Sequence, residues 1–238
     1  MNLLRADALR VLGLGALLLL AGLAQAAGQA VSPAVVQIRD RWAQINYQLP
    51  KSERQAAFEA LAGQAAQARQ AQPRDAATLI WEGIVLSSWA GEKGGMGALS
   101  LVKQARADFE AALKLDPDAL DGSAYTSLGA LYYQVPGWPL GFGNDDTARQ
   151  MLRKGLEINP DGIDANYFYG DFLRDQKDWA GAAAALQKAL AAPGPHRAGA
   201  GRQRPAPGGR GETETSQRPP CRPLSRPDRD WAHAHPAG

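Results

Sequence analysis

Tyr125-Thr-Ser-Leu128-Gly129-Ala-Leu-Tyr132, resumed at Ala148-Arg-Gln-Met-Leu152-Arg-Lys-Gly155 and stopped by Pro160, is the stretch that decides the fold. Small and apolar positions recur three and four apart in both parts, the spacing of one face of an α-helix. Proline at the end cannot continue the helix and sets a turn. Related stretches flank this one on both sides. Downstream, Asn166-Tyr-Phe-Tyr169-Gly170-Asp-Phe-Leu173 leads through Ala182, Leu186 and Ala189 to the region of Pro193. Upstream, Gly83 and Leu86 are followed by Ala105, Phe109, Ala112 and Pro117. Gly155 and Ala189 lie 34 residues apart, and Ala112 and Gly155 lie 43 apart. A period of this size marks a repeated helical pair, and the longer step contains an insertion.

Each recurring position has a steric role. A small residue on the first helix (Gly83, Gly129, Gly170) lets the second helix approach closely. Ala105, Ala148 and Ala182 do the same from the second helix, while Phe109, Leu152 and Leu186 fill the space between. No alternating strand pattern of useful length interrupts the helical one between Val31 and Pro193.

On these residues the chain resembles the tetratricopeptide repeat family. The resemblance implies an all-α fold, an array of helical hairpins (an α-solenoid) with a concave binding groove. The copies fall at about 76–118, 122–160 and 163–193. The second copy carries almost the full pattern. The third has Asn166 where the family usually places a large aromatic, and the first has Leu79 there and a polar Glu82 just before Gly83. Residues 31–73 resemble a further helical pair without a motif, placed to cap the array. The repeat domain spans 27–193.

Both ends read differently. Residues 1–26 have the layout of a secretory signal peptide. Arg5 and Arg10 are followed by the apolar run Val11–Leu23 and by the small residues of Ala24-Gln25-Ala26. The apolar run falls short of the ~20 residues needed to span a bilayer. The expectation is cleavage, a periplasmic or secreted address and no stable membrane insertion. From Gly194 to Gly238 the composition turns to arginine, proline and glycine, with Leu224 and Trp231 as the only large apolar side chains. Such a segment cannot offset its ordering entropy, so disorder is expected. A shifted reading frame in a GC-rich gene would yield the same composition.

Chemistry is limited by what is missing. His196, His233, His235 and Cys221 all lie in that tail, so the helical part has no imidazole and no thiol. Serine–histidine and cysteine–histidine nucleophiles are thereby excluded from it, with the usual ligands of zinc, copper and haem. No cofactor, metal or catalytic residue is expected. The formal net charge of +2 gives no electrostatic case for nucleic acid. Gly91-Glu-Lys-Gly-Gly-Met-Gly97 lacks the Gly-Lys-Ser/Thr ending of a phosphate-binding loop. Asp116, Asp118, Asp121, Asp161 and Asp164 lack calcium-loop spacing and suit helix capping, and Asn144 or Asp145 suits the N-cap of the helix that follows.

Two stretches, Ala90–Leu101 and Gln134–Asp146, read as extra loops between paired helices. In the second, Trp138, Leu140 and Phe142 stand to form a pocket wall or to cover the edge of their own helix pair. The resemblance places Ile80, Ile84, Ser87 and Ser88 toward the groove from the first copy. From the second it places Ser123, Thr126, Ala130, Tyr133 and Gln134, and from the third Tyr167, Asp171, Arg174 and Asp175. The expected partner-binding set is Tyr133, Gln134, Trp138, Phe142, Tyr167, Asp171 and Arg174. A scaffold that docks a protein or peptide partner in the groove is the expected function, not an enzyme. The alternatives are a small-molecule-binding accessory of a periplasmic transport system and a carboxylate-based hydrolase built on Glu82 or Asp171.

Overall fold

The computed structural model describes residues 31–192. The leader at 1–26 and the tail at 194–238, with their expected export and disorder, lie outside these residues. The described residues form eight helices and no strand. They are α1 (Pro33–Gln48), α2 (Lys51–Ala71), α3 (Ala76–Lys93), α4 (Gly95–Leu115), α5 (Ala119–Gln134), α6 (Asp145–Ile158), α7 (Ile163–Asp175) and α8 (Trp179–Ala191). None is long and apolar enough to cross a membrane.

Three hairpins, α3/α4, α5/α6 and α7/α8, make the closest backbone contacts. Each packs on the next, α4 against α5 and α6 against α7, and the first helices also meet, α3 with α5 and α5 with α7. The glycines explain the close approach within each hairpin. A Cβ on Gly83 would stand 2.6 Å from the ring of Phe109, one on Gly129 2.5 Å from Leu152 Cγ, and one on Gly170 2.8 Å from Leu186 Cγ. All three are far inside van der Waals contact, so one steric solution recurs in each pair. Ala105, Ala148 and Ala182 are buried beside them, and Phe109 and Leu152 are fully buried.

Asn166 stands where the flanking copies suggest a large side chain. It is buried, and its amide donates to Pro160 O and Gly162 O, both at 2.9 Å. The amide thereby satisfies Pro160 O and gives Gly162 O a second donor beside the Asn166 backbone N–H at 3.2 Å, which an aromatic ring could not do.

Two expectations are corrected. Ala90–Leu101 is not a loop. α3 continues to Lys93 and α4 starts at Gly95, because the stretch contains no helix stop except Gly94-Gly95, at φ 64° and 60°. The insertion therefore lengthens both helices. Residues 31–73 hold two helices, α1 and α2, which pack differently from the later pairs. α2 packs along α3, but α1 does not lie along α2. It reaches α3 through Trp42, whose ring meets Trp81 edge-on at 6.0 Å and whose Nε1 donates to Ser88 Oγ at 2.8 Å. Capping, finally, falls largely to other residues than the five aspartates. Asp75, Asn144 and Asp178 accept from Ala77, Thr147 and Gly181 backbone N–H groups. Asp118 makes no side-chain cap bond, and Asp161 pairs with Lys188 at 3.2 Å.

Candidate functional site

The helical register brings four of the expected residues into one polar string. Tyr133 and Gln134 end α5, and Asp171 and Arg174 occupy successive turns of α7. The Tyr133 hydroxyl donates to Asp171 Oδ2 at 2.7 Å and accepts from Gln134 Nε2 at 3.1 Å. Asp171 Oδ1 is paired with the Arg174 guanidinium. The Tyr133 ring packs on Phe172 at 5.5 Å, so the string is anchored in the core between two hairpins. Burial of the ring, with the Asp171 carboxylate beside it, holds the Tyr133 phenol well above its usual range. Tyr133 therefore stays a neutral donor, and the Asp171 charge is met from both sides. Arg174 is half in water, with its side chain 49 % exposed. Its remaining N–H donors face solvent, a fork suited to a carboxylate or to backbone carbonyls.

Tyr167, one turn before Asp171, packs edge-on against Phe168 at 5.4 Å and adds to the electrostatic surroundings of Tyr133. Gln134 also lines an apolar pocket of about 90 Å³ with Ala90, Met96, Leu99, Leu131 and Val135. The pocket lies where the α3–α4 turn meets the end of α5, a consequence of the lengthened α3 and α4.

The loop residues part company. Gly143 N donates to Pro136 O at 2.9 Å and Asn144 N to Tyr132 O at 2.8 Å, which fold residues 135–144 back on α5. Phe142 packs edge-on against Tyr132 at 5.5 Å, with the Arg106 guanidinium 5.0 Å from its ring centre. It covers the junction of α4 and α5 and, with Pro139 and Leu140, walls a pocket of about 360 Å³ against Lys103, Arg106 and Glu110. Trp138, at the tip, is 90 % exposed and does not line it. In the first hairpin, Ile80 is fully buried and Ser88 is taken by Trp42, so that part of the face is covered by α1.

A second polar group lies in the core. Arg69 of α2 pairs with Glu82 of α3, and Asp108 of α4 stands with them; both acids are buried. Glu82 Oε1 and Asp108 Oδ2 have no hydrogen-bond partner. Burial raises the Glu82 carboxyl, opposed by Arg69. Burial, reinforced by the Glu82 charge and opposed by Arg69, pushes Asp108 up to about 7. The sequence carried a signal for this group. Glu82 precedes Gly83 and Asp108 precedes Phe109, so the Gly83–Phe109 contact already makes them neighbours. Among the described residues, no cluster of three or more His, Cys, Asp or Glu side chains stands ready for a metal ion.

Compared with known proteins, no family model matches the chain and no curated protein matches it. The geometry and the repeated steric pattern carry the functional argument.

Proposed function

We propose that the protein is a tetratricopeptide-type scaffold, exported to the periplasm or beyond, that docks a segment of a partner protein on the face shared by α5 and α7. The observation that carries this is the string Gln134–Tyr133–Asp171–Arg174. It fixes one exposed guanidinium by a fully satisfied network, and a preorganised donor binds with little further loss of freedom. The Gly129–Leu152 and Gly170–Leu186 contacts support the array, since they repeat one glycine-against-leucine approach within the hairpin.

Two pockets bear on the alternative of a small-molecule carrier. The one beside Gln134, at about 90 Å³, is well below the roughly 300–1,000 Å³ of ordinary ligand sites and suits one aliphatic side chain of a bound segment. The one between Leu140, Phe142 and the α4 residues Lys103, Arg106 and Glu110, at about 360 Å³, falls at the low end of that range and keeps the carrier as the second reading. Glu82 and Asp108 are closed off from solvent, which weighs against a carboxylate-based hydrolase.

The test is affinity capture by the full chain, followed by binding measurements with the captured protein. Arg174→Ala and Tyr167→Ala together should weaken a defined partner by about tenfold or more in a chain that keeps its helical circular dichroism, with some loss of melting temperature because Asp171 loses its guanidinium. Undiminished binding in the folded double variant would remove α5/α7 as the docking face. A large thermal shift with a metabolite, and no protein partner, would favour the transport accessory instead.

A further inference from the structure

Residues 135–144 are more than the second hairpin needs to close, since the third turns from α7 to α8 through Gln176, Lys177 and Asp178 alone. Long insertions in a compact array tend to serve a purpose of their own. This one is held along its length. Leu140 N and Gly141 N both donate to Gly137 O, at 3.2 and 3.1 Å, and the bonds of Gly143 and Asn144 tie the far end back to α5. The turn leaves Leu140 51 % exposed, so core packing does not account for that side chain.

Opposite the loop, Lys103, Arg106, Ala107 and Glu110 fall three and four apart along α4 and share one stripe of the helix. Val102, Ala105 and Phe109 of the same helix are buried in the core. Loop and stripe enclose the pocket of about 360 Å³, apolar on the side of Leu140 and Phe142 and charged on the side of α4. Arg106 is fixed in place. Its guanidinium lies 5.0 Å from the ring centre of Phe142 and 5.3 Å from that of Tyr132, and its Nε donates to Glu110 Oε1 at 2.6 Å. The Nη donors of the fork are left for a ligand. Lys103 is exposed and forms no ion pair among the described residues. Two cations against the single carboxylate of Glu110 leave the pocket with a surplus positive charge beside an apolar wall.

We propose that this pocket binds a small organic monocarboxylate with an apolar body, its carboxylate on Lys103 and Arg106 and its body against Leu140 and Phe142. A single negative charge cancels the surplus, whereas a dianion would leave an excess facing Glu110. None of Gln134, Tyr133, Asp171 and Arg174 lines the pocket, so the site is separate from the α5/α7 docking face. It shares its pocket with the carrier reading and names the ligand class for it.

Isothermal titration calorimetry of the full chain with phenylacetate and with isovalerate should give saturable binding, with a dissociation constant on the order of 100 μM. Phenylacetamide keeps the shape without the charge, and inorganic phosphate keeps charge without the body. Each should bind at least about tenfold more weakly than phenylacetate. Lys103→Glu should weaken phenylacetate at least about tenfold, and Ala107→Trp should abolish its binding by filling the pocket. Lys51→Glu on α2, the same change of net charge elsewhere, should have no effect. All three positions are exposed, so the fold tolerates the changes. Arg174→Ala with Tyr167→Ala should leave phenylacetate binding intact, which separates this site from the docking face. The proposal is overturned by the absence of saturable binding of both carboxylates, by phenylacetamide binding as tightly, or by indifference to Lys103→Glu or Ala107→Trp. A thermal shift with a neutral or cationic metabolite, and none with the carboxylates, would also overturn it while sparing the carrier reading.

Discussion

Replacing Asp108 by asparagine should stabilise the protein at alkaline pH and not at acid pH. Asp108 is buried beside Glu82 and Arg69, and its Oδ2 lacks a hydrogen-bond partner. Its carboxyl lies at about 7 in the folded chain, against about 3.9 when unfolded. Below about pH 4 both states hold the proton, and the side chain takes nothing from stability. Between there and about 7 the unfolded chain ionises first, so stability falls by about 1.4 kcal/mol for each pH unit gained. Above the folded value both states are ionised and the loss is complete, with a ceiling of about 4 kcal/mol. Water entry and relaxation of Glu82 reduce this, leaving about 2 kcal/mol as the expected difference.

Asparagine has nothing to ionise, and its amide can donate where the carboxylate could not. Urea unfolding followed by circular dichroism would be run on both proteins at about pH 5 and about pH 8. The Asp108→Asn variant should gain on the native chain as pH rises. Glu82→Gln is the reciprocal control, since it removes the like charge and leaves Asp108 facing Arg69 alone. Its own effect should be destabilising at both pH values, because Arg69 loses its partner. An Asp108→Asn variant that loses more stability at pH 8 than at pH 5 would refute the assignment of an uncompensated charge to this site.

Gly129→Ala should cost about 2–3 kcal/mol in denaturant unfolding, because the new methyl meets Leu152 at 2.5 Å and its backbone nitrogen at 3.0 Å. Leu152→Val should recover part of that loss in the double variant. Asn166→Ala should cost about 1–2 kcal/mol by stranding Pro160 O, while Gly162 O keeps the backbone N–H of residue 166, and a neutral effect would show that water replaces the amide there.

The glycine contacts follow from sequence because they are steric, each setting a glycine of one helix against a large residue of the next. Gly83 against Phe109, Gly129 against Leu152 and Gly170 against Leu186 need only the helical period and a small–large pairing. Tyr133, four residues after Gly129, and Asp171, one after Gly170, are both groove positions of the resemblance. Their direct hydrogen bond needed the tertiary register, and so did the near burial of Tyr133. The course of α1 was beyond sequence reasoning, as Trp42 has no periodic counterpart and chooses Trp81 and Ser88 by proximity alone. The run Ala90–Leu101 has the glycine content of a loop, yet helical residues dominate it. Only Gly94 and Gly95 take positive φ, while Gly91 and Gly97 lie within helices.

Stacked hairpins draw stability from their own packing and from the interface with each neighbour. The middle hairpin has neighbours on both sides, with Tyr133, Phe172 and Arg149 joining it to the last one. The first is backed by α2 and held by Arg69–Glu82, a tie that depends on two buried carboxyls sharing one arginine. Among the described residues the last has one neighbour, and leaves Trp179 and Leu190 exposed. Within 31–192, opening should therefore begin at α8 and reach α7 next, where Arg174 stands. A ligand of Arg174 should accordingly slow hydrogen exchange in α8 as well as in α7, since binding only the closed pair suppresses its opening.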